Sequence, residues 1–243
     1  AALENTQAAN TEQGWTPHHF VLRNALGEVR AAMPCYRKTH SHGDFVYDWG
    51  MARAVENAGL AWYPKLVAGV PYSPVTCARL LRAPLDNDAA THLAQGLIQS
   101  CKEQGLLTAQ ILFPPTQDAE ILREAGYLVR SDFIQFHWYN RDYADFEQFL
   151  AQMRHKKRKQ IRQERRKLVS NGIQCRWVEA QQASDEERRF VHRCYSKTFY
   201  EYGNLPVLTE AFFQQIGESL PGRLLFCIAQ NQGKDIAAAV YFR

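Results

Sequence analysis

The chain has 243 residues, 46% of them hydrophobic, and a formal net charge of +4. That is enough to bury a sizeable core in one large domain or two of ordinary size. No apolar run approaches the roughly 20 residues that span a bilayer, which predicts a soluble chain, and the singly spread cysteines place it by expectation in the reducing cytoplasm.

Residues 1–14 read as the end of a helix and a polar loop. A hairpin follows, His19–Arg23 and Val29–Tyr36 around a turn containing Gly27, with Pro34 at an edge or bulge. Thr39–Trp49 reads as a polar and aromatic loop leading into a short strand or helix, and Ala52–Ala58 as a helix stopped by Gly59. Tyr63–Val70 is an apolar strand. A helix capped by Asp86 or Asp88 runs to Glu103, and Leu106–Phe113 is a buried strand closed by two prolines. Gln117–Glu124 is a helix and Tyr127–Tyr139 a strand. One basic helix then occupies 146–170, followed by a strand Ile173–Val178 and helices Asp185–Tyr202 and 210–219, the latter capped by Thr209. A second hairpin, Leu224–Ala229 and Ile236–Phe242, ends the chain. Alternating strands and helices predict a mixed α/β sheet with flanking helices.

Charge is concentrated in one place. Between Arg154 and Lys167 nine cations face the single anion Glu164, a net +8 that leaves −4 for the rest of the chain. Such an element seeks polyanions: phosphate, nucleic acid or an anionic lipid surface. Lys156, Lys157, Lys159, Arg162 and Arg165 are the candidate contacts, with tRNA as one partner. Arg158 and Arg162 lie beside the apolar stripe and are also placed to pair with acidic groups of the protein. The bland alternative is a solvated helix face.

Polar chemistry gathers in the loop at 40–49. His40, Asp44 and Asp48 read as an acid–base cluster, a carboxylate orienting a histidine that takes a proton from an attacking amine. The alternative is a loop whose polar groups are satisfied internally. His40 and His42 alone do not make a metal site. Lys65 in an apolar strand either binds a substrate anion or points to water from an edge. Tyr72, Thr76 and Arg79 complete a candidate substrate-binding set, Arg79 being suited to an anion. The six cysteines are scattered singly and read as free thiols.

The hairpins correspond at an offset of 206. Phe20 falls on Phe226, Gly27 on Gly233, Ala31 and Ala32 on Ala237 and Ala238, and Arg37 on Arg243. This predicts an internal duplication with units at 1–140 and 173–243, a basic connecting helix at 141–172, and roughly a hundred residues missing beyond the second hairpin.

The order of elements resembles the GNAT acyltransferase fold (acyl-CoA N-acyltransferase-like), and Ala119–Tyr127 loosely resembles its A-x-x-L-Y-x-x-x-G-F region. Two such units joined through Lys157-Arg158, Ile161-Arg162 and Arg166-Lys167 resemble the FemAB-like family. Its Fem members move an amino acid from aminoacyl-tRNA onto a peptidoglycan precursor. The blocks Cys35–Gly50, Tyr63–Leu66 and Val70–Leu81 resemble a bacterial branch of that family. The resemblance implies an acyl- or aminoacyl-transferase with acyl-CoA or aminoacyl-tRNA as donor and a small-molecule or peptidoglycan-precursor acceptor. A degenerate module that binds RNA or peptide without catalysis is the alternative. Two departures count against an ordinary acetyl-CoA site: no R/Q-x-x-G-x-G/A loop occurs, and Leu122 stands where many GNAT enzymes carry a tyrosine. No cofactor is expected on this stretch of chain.

Overall fold

The computed structural model describes residues 1–130, 134 and 136–243. The chain divides into two compact units, Leu3–Ser131 and Asp132–Arg243.

The first unit contains α1 (Ala2–Asn5), β1 (Trp15–Pro17), β2 (Phe20–Arg23), β3 (Val29–Met33), β4 (Cys35–Lys38) and α2 (Trp49–Asn57). It continues through β5 (Lys65–Ala68), β6 (Leu81–Arg82), α3 (Asn87–Glu103), β7 (Ala109–Ile111) and α4 (Thr116–Glu124). Two sheets form, β1-β4-β5-β7 and β2-β3-β6. Pro34 has no N–H to donate, and the chain passes there from one sheet to the other. The strands expected at 63–70 and 106–113 shrink to four and three residues. Lys65–Ala68 is buried at every position because β5 lies between β4 and β7. β5 and β7 run parallel, so the chain must cross over between them, and α3 is the helix on that crossover. Asp86 caps α3 by accepting from the Ala89 amide, and Ala90, Leu93, Ala94, Leu97 and Cys101 form its buried stripe. That stripe packs on Met33, Leu66 and Ala68. Each leucine so buried contributes about 1.5–3 kcal/mol.

The second unit contains α5 (Phe146–Ala151), α6 (His155–Ser170), β8 (Ile173–Glu179), α7 (Asp185–Glu201), α8 (Glu210–Ser219), β9 (Leu224–Asn231) and β10 (Lys234–Phe242). Its sheet is antiparallel, in the order β10-β9-β8, with Leu224, Phe226 and Ile228 turned into the core. Ser184 and Glu187 start α7 with a reciprocal capping box. The single basic helix expected over 146–170 is two helices instead. Asp145 caps the first by accepting from the Gln148 amide, and the chain turns at 152–154 before α6 begins. No residue of α6 is buried, so its apolar stripe was too interrupted to seat the whole run. The strand expected at Tyr127–Tyr139 falls partly outside the described residues, and its described residues carry no strand.

Both hairpins contain a one-residue bulge. Arg30 is unopposed in the first and Ile236 in the second, 206 positions apart. Their sheet neighbours differ: β3 pairs β6 on its far side, whereas β9 pairs β8.

Candidate functional site

Lys38 and Lys65 sit directly opposite each other on β4 and β5. Two like charges so placed repel, and both side chains are fully buried. The loop between β4 and α2 answers that charge. It bends through Gly43, Phe45 and Tyr47, all at positive φ, and returns Ser41, Asp44 and Asp48 to the buried ammonium groups. Positive φ at two bulky residues costs on the order of 1–3 kcal/mol each and persists only where surrounding contacts impose it.

Lys65 Nζ shares its three N–H groups among four acceptors: Asp48 Oδ2 at 2.7 Å, Gln110 Oε1 at 2.9 Å, Ser41 Oγ at 3.1 Å and Asp44 Oδ2 at 3.2 Å. Asp48 also accepts from Trp62 Nε1 at 3.0 Å, from Gln110 Nε2 at 3.2 Å and, very closely, from Ser41 Oγ. Burial alone would push the Asp48 carboxyl up, but Lys65 and Ser41 override it and hold the group down at about 2. The half-buried Tyr63 hydroxyl lies 2.6 Å from Ser41 Oγ and 3.2 Å from Asp48 Oδ1. Burial pushes that phenol up to about 12, with Asp48 adding to the effect. Lys38 Nζ donates to His42 O at 3.0 Å and lies 3.7 Å from the centre of the Trp15 ring. Burial, with Lys65 opposite, lowers Lys38 to about 7, against the pull of Asp44.

The pairing expected within this loop is therefore corrected. Asp44 and Asp48 are gathered as expected, but around Lys65, and neither hydrogen-bonds His40. The His40 ring rests on Gly14, where a Cβ would come within 2.5 Å of Nε2, and its Nδ1 accepts from the His42 amide at 3.2 Å. Burial and Lys38 hold His40 below the usual histidine range. Lys65 is no edge residue. Arg79 is not a free anion receptor either: it is 1% exposed, donates to Leu112 O and Val75 O, and contacts Cys77 Sγ. Tyr72 donates to Ala8 O at 2.8 Å and packs edge-on to Trp15, while Thr76 is exposed. Sequence reasoning missed Ser41, Trp62, Tyr63 and Gln110; only the buried lysine, which had to find partners, hinted at them.

In the same stretch of chain His42, Tyr47 and Trp49 are exposed, with Trp49 in ring contact with both others. In the second unit Lys156, Lys157 and Lys159 are exposed on α6. Arg162 pairs with Glu147 of α5, and the Arg165 guanidinium lies 4.3 Å from the centre of the Phe146 ring. Two of the five candidate polyanion contacts thus also hold α6 to α5. Among the described residues no group of three His, Cys, Asp or Glu residues is arranged to hold a metal ion, and no helix is long and apolar enough to cross a membrane.

A family described as FemAB-like, peptidoglycan biosynthesis/recognition, matches residues 1–243. No curated protein matches. Among solved structures the chain is similar to "Crystal structure of FemX", with 13% identity and a TM-score of 0.41 over 90% of this chain and 49% of that one. The chain thus spans about half the length of that protein.

Proposed function

The chain belongs to the FemAB-like family of peptidoglycan biosynthesis and recognition, and from that premise we propose that it is part of an acyl- or aminoacyl-transferase in which Tyr63 orients the amine of a peptidoglycan precursor. The observation that carries this reading is the place of the Tyr63 hydroxyl beside Ser41 Oγ and Asp48 Oδ1. Ser41 gives its own proton to Asp48, so both neighbours can take the single phenol proton, and in this reading the phenol oxygen keeps a lone pair that accepts an N–H from substrate. An acceptor held in place in this way positions the nucleophile for attack on an ester or thioester. Asp48, held at about 2, is too weak to serve as the base; its role is to anchor Tyr63. Aminoacyl-tRNA or acyl-CoA is the donor in this reading, and the exposed lysines of α6 supply affinity for a polyanion.

The GNAT reading is supported by the parallel β5–β7 pair on either side of α3, and the duplication by bulges at Arg30 and Ile236. The differing neighbours of the two hairpins weigh against the duplication.

A second reading is favoured by one feature of the same site. Lys65 finds its partners within the protein, and neither Asp44 nor Asp48 orients a histidine, as expected of a module that binds a precursor without acting on it. Single-turnover transfer of a labelled amino acid from aminoacyl-tRNA to a lysine-bearing precursor separates the two. Transfer that Tyr63→Phe slows supports the transferase, and binding without transfer supports the module.

A further inference from the structure

A line of aromatic side chains adjoins α6 at Arg165. The Arg165 guanidinium covers Phe146, Phe146 packs on Phe149, and Phe149 meets the rings of Trp138 and Tyr143. Apolar side chains in the same two stretches of chain, 136–149 and 165–169, are left in water. Phe136 is 97% exposed, Val169 77%, Tyr139 73% and Trp138 65%, and Phe146 and Leu168 are also exposed. Leu168 and Val169 follow Arg165 by three and four positions, so all three share one side of α6. An apolar patch of this kind beside a cationic helix marks an interaction surface.

Resting on the reading that α6 binds a polyanion, we propose that this polyanion is the surface of an anionic lipid bilayer, with the cations that flank this side of α6, Lys157 and Lys159 among them, meeting headgroups and Phe136, Trp138, Tyr139 and Val169 entering the interface. Two features favour lipid over RNA. Bases stack on aromatic rings but gain nothing from Leu168 and Val169, whereas the acyl boundary takes both kinds of side chain. Tryptophan and tyrosine also settle at the depth of the headgroups, where a polar tip and an apolar ring are both satisfied. The attachment proposed is to the bilayer surface, through these side chains.

The test uses the full chain in two arms: cosedimentation with vesicles of phosphatidylcholine with or without phosphatidylglycerol, and polarisation of labelled tRNA. Three variants are compared with wild type: Lys156→Gln/Lys157→Gln/Lys159→Gln, Phe136→Ser/Tyr139→Ser, and Val169→Ser as an independent exposed change. The expected result is binding to the phosphatidylglycerol vesicles that each apolar variant weakens, the aromatic pair at least about tenfold, and that the lysine variant also weakens at least about tenfold. If vesicles are not bound, or both apolar variants bind them as wild type does, the lipid proposal is overturned. Salt-dependent tRNA binding in that case leaves the polyanion reading standing; failure in both arms removes both.

Discussion

Lys65 Nζ lies 2.7 Å from Asp48 Oδ2, and neither side chain is open to solvent. A buried pair is costly to assemble and costlier to break, because the group left behind keeps its desolvation penalty. Here the cation has a second carboxylate, Asp44, at 3.2 Å. Asp48→Asn should therefore cost about 3 kcal/mol and Lys65→Met, which strands two carboxylates, about 5 kcal/mol. Urea unfolding measures both. Equal losses, or the reverse order, would mean that Asp44 does not share the charge.

Stability should depend on pH at both ends of the range. Asp48 is depressed in the folded state to about 2, so its contribution is complete above the unfolded carboxyl range and is lost as pH falls toward 2. Lys38 is depressed to about 7, so between pH 7 and the usual lysine range the unfolded chain binds more protons, and stability rises with pH there. Lys38→Met should flatten the alkaline rise, and Asp48→Asn the acid fall. Melting temperatures across pH for the three proteins report it.

Arg79 braces the loop at 75–77 against the end of β7 through Leu112 O and Val75 O. Lysine carries the charge but cannot reach two carbonyls in a fixed fork. Arg79→Lys should destabilise by about 2–3 kcal/mol in chemical denaturation, with no change in the affinity for phosphate or tRNA. A loss of anion binding without a loss of stability would restore Arg79 to the site.

α8 approaches the turn at Ala180–Gln182 through Gly217, where a Cβ would stand 3.0 Å from the Ala180 carbonyl carbon. The neighbour is backbone and cannot rotate away. Gly217→Ala should cost about 1–3 kcal/mol in urea unfolding, despite the better helix propensity of alanine. A stabilised variant would show that the two elements are free to separate.

The sequence carried the fold where local chemistry was unambiguous. Asp86 and Thr209 were legible as caps, and the glycine turns placed both hairpins. The break in the basic helix was not legible, because nothing at 152–154 is a strong helix breaker and Asp145, which caps the short first piece, reads as any loop aspartate. At the site, Asp44, Asp48 and Lys65 each stand out in the sequence, but nothing in it joins them. Their meeting depends on the β4–β5 register that sets Lys38 against Lys65, and on positive φ at Phe45 and Tyr47, which no residue preference announces. The strand order that buries Lys65 is a long-range fact, and so is Gln110 beside it.

The central claim is that Tyr63 holds the amine of a peptidoglycan precursor. Calorimetric titration of a lysine-bearing stem peptide into the full chain tests it most directly, comparing wild type, Tyr63→Phe and the same peptide with its ε-amine acetylated. One lost hydrogen bond at a half-buried acceptor predicts affinity about tenfold weaker for Tyr63→Phe. The acetylated peptide should lose at least as much. Equal affinity of wild type and Tyr63→Phe for the free-amine peptide, or no binding by wild type, would contradict it.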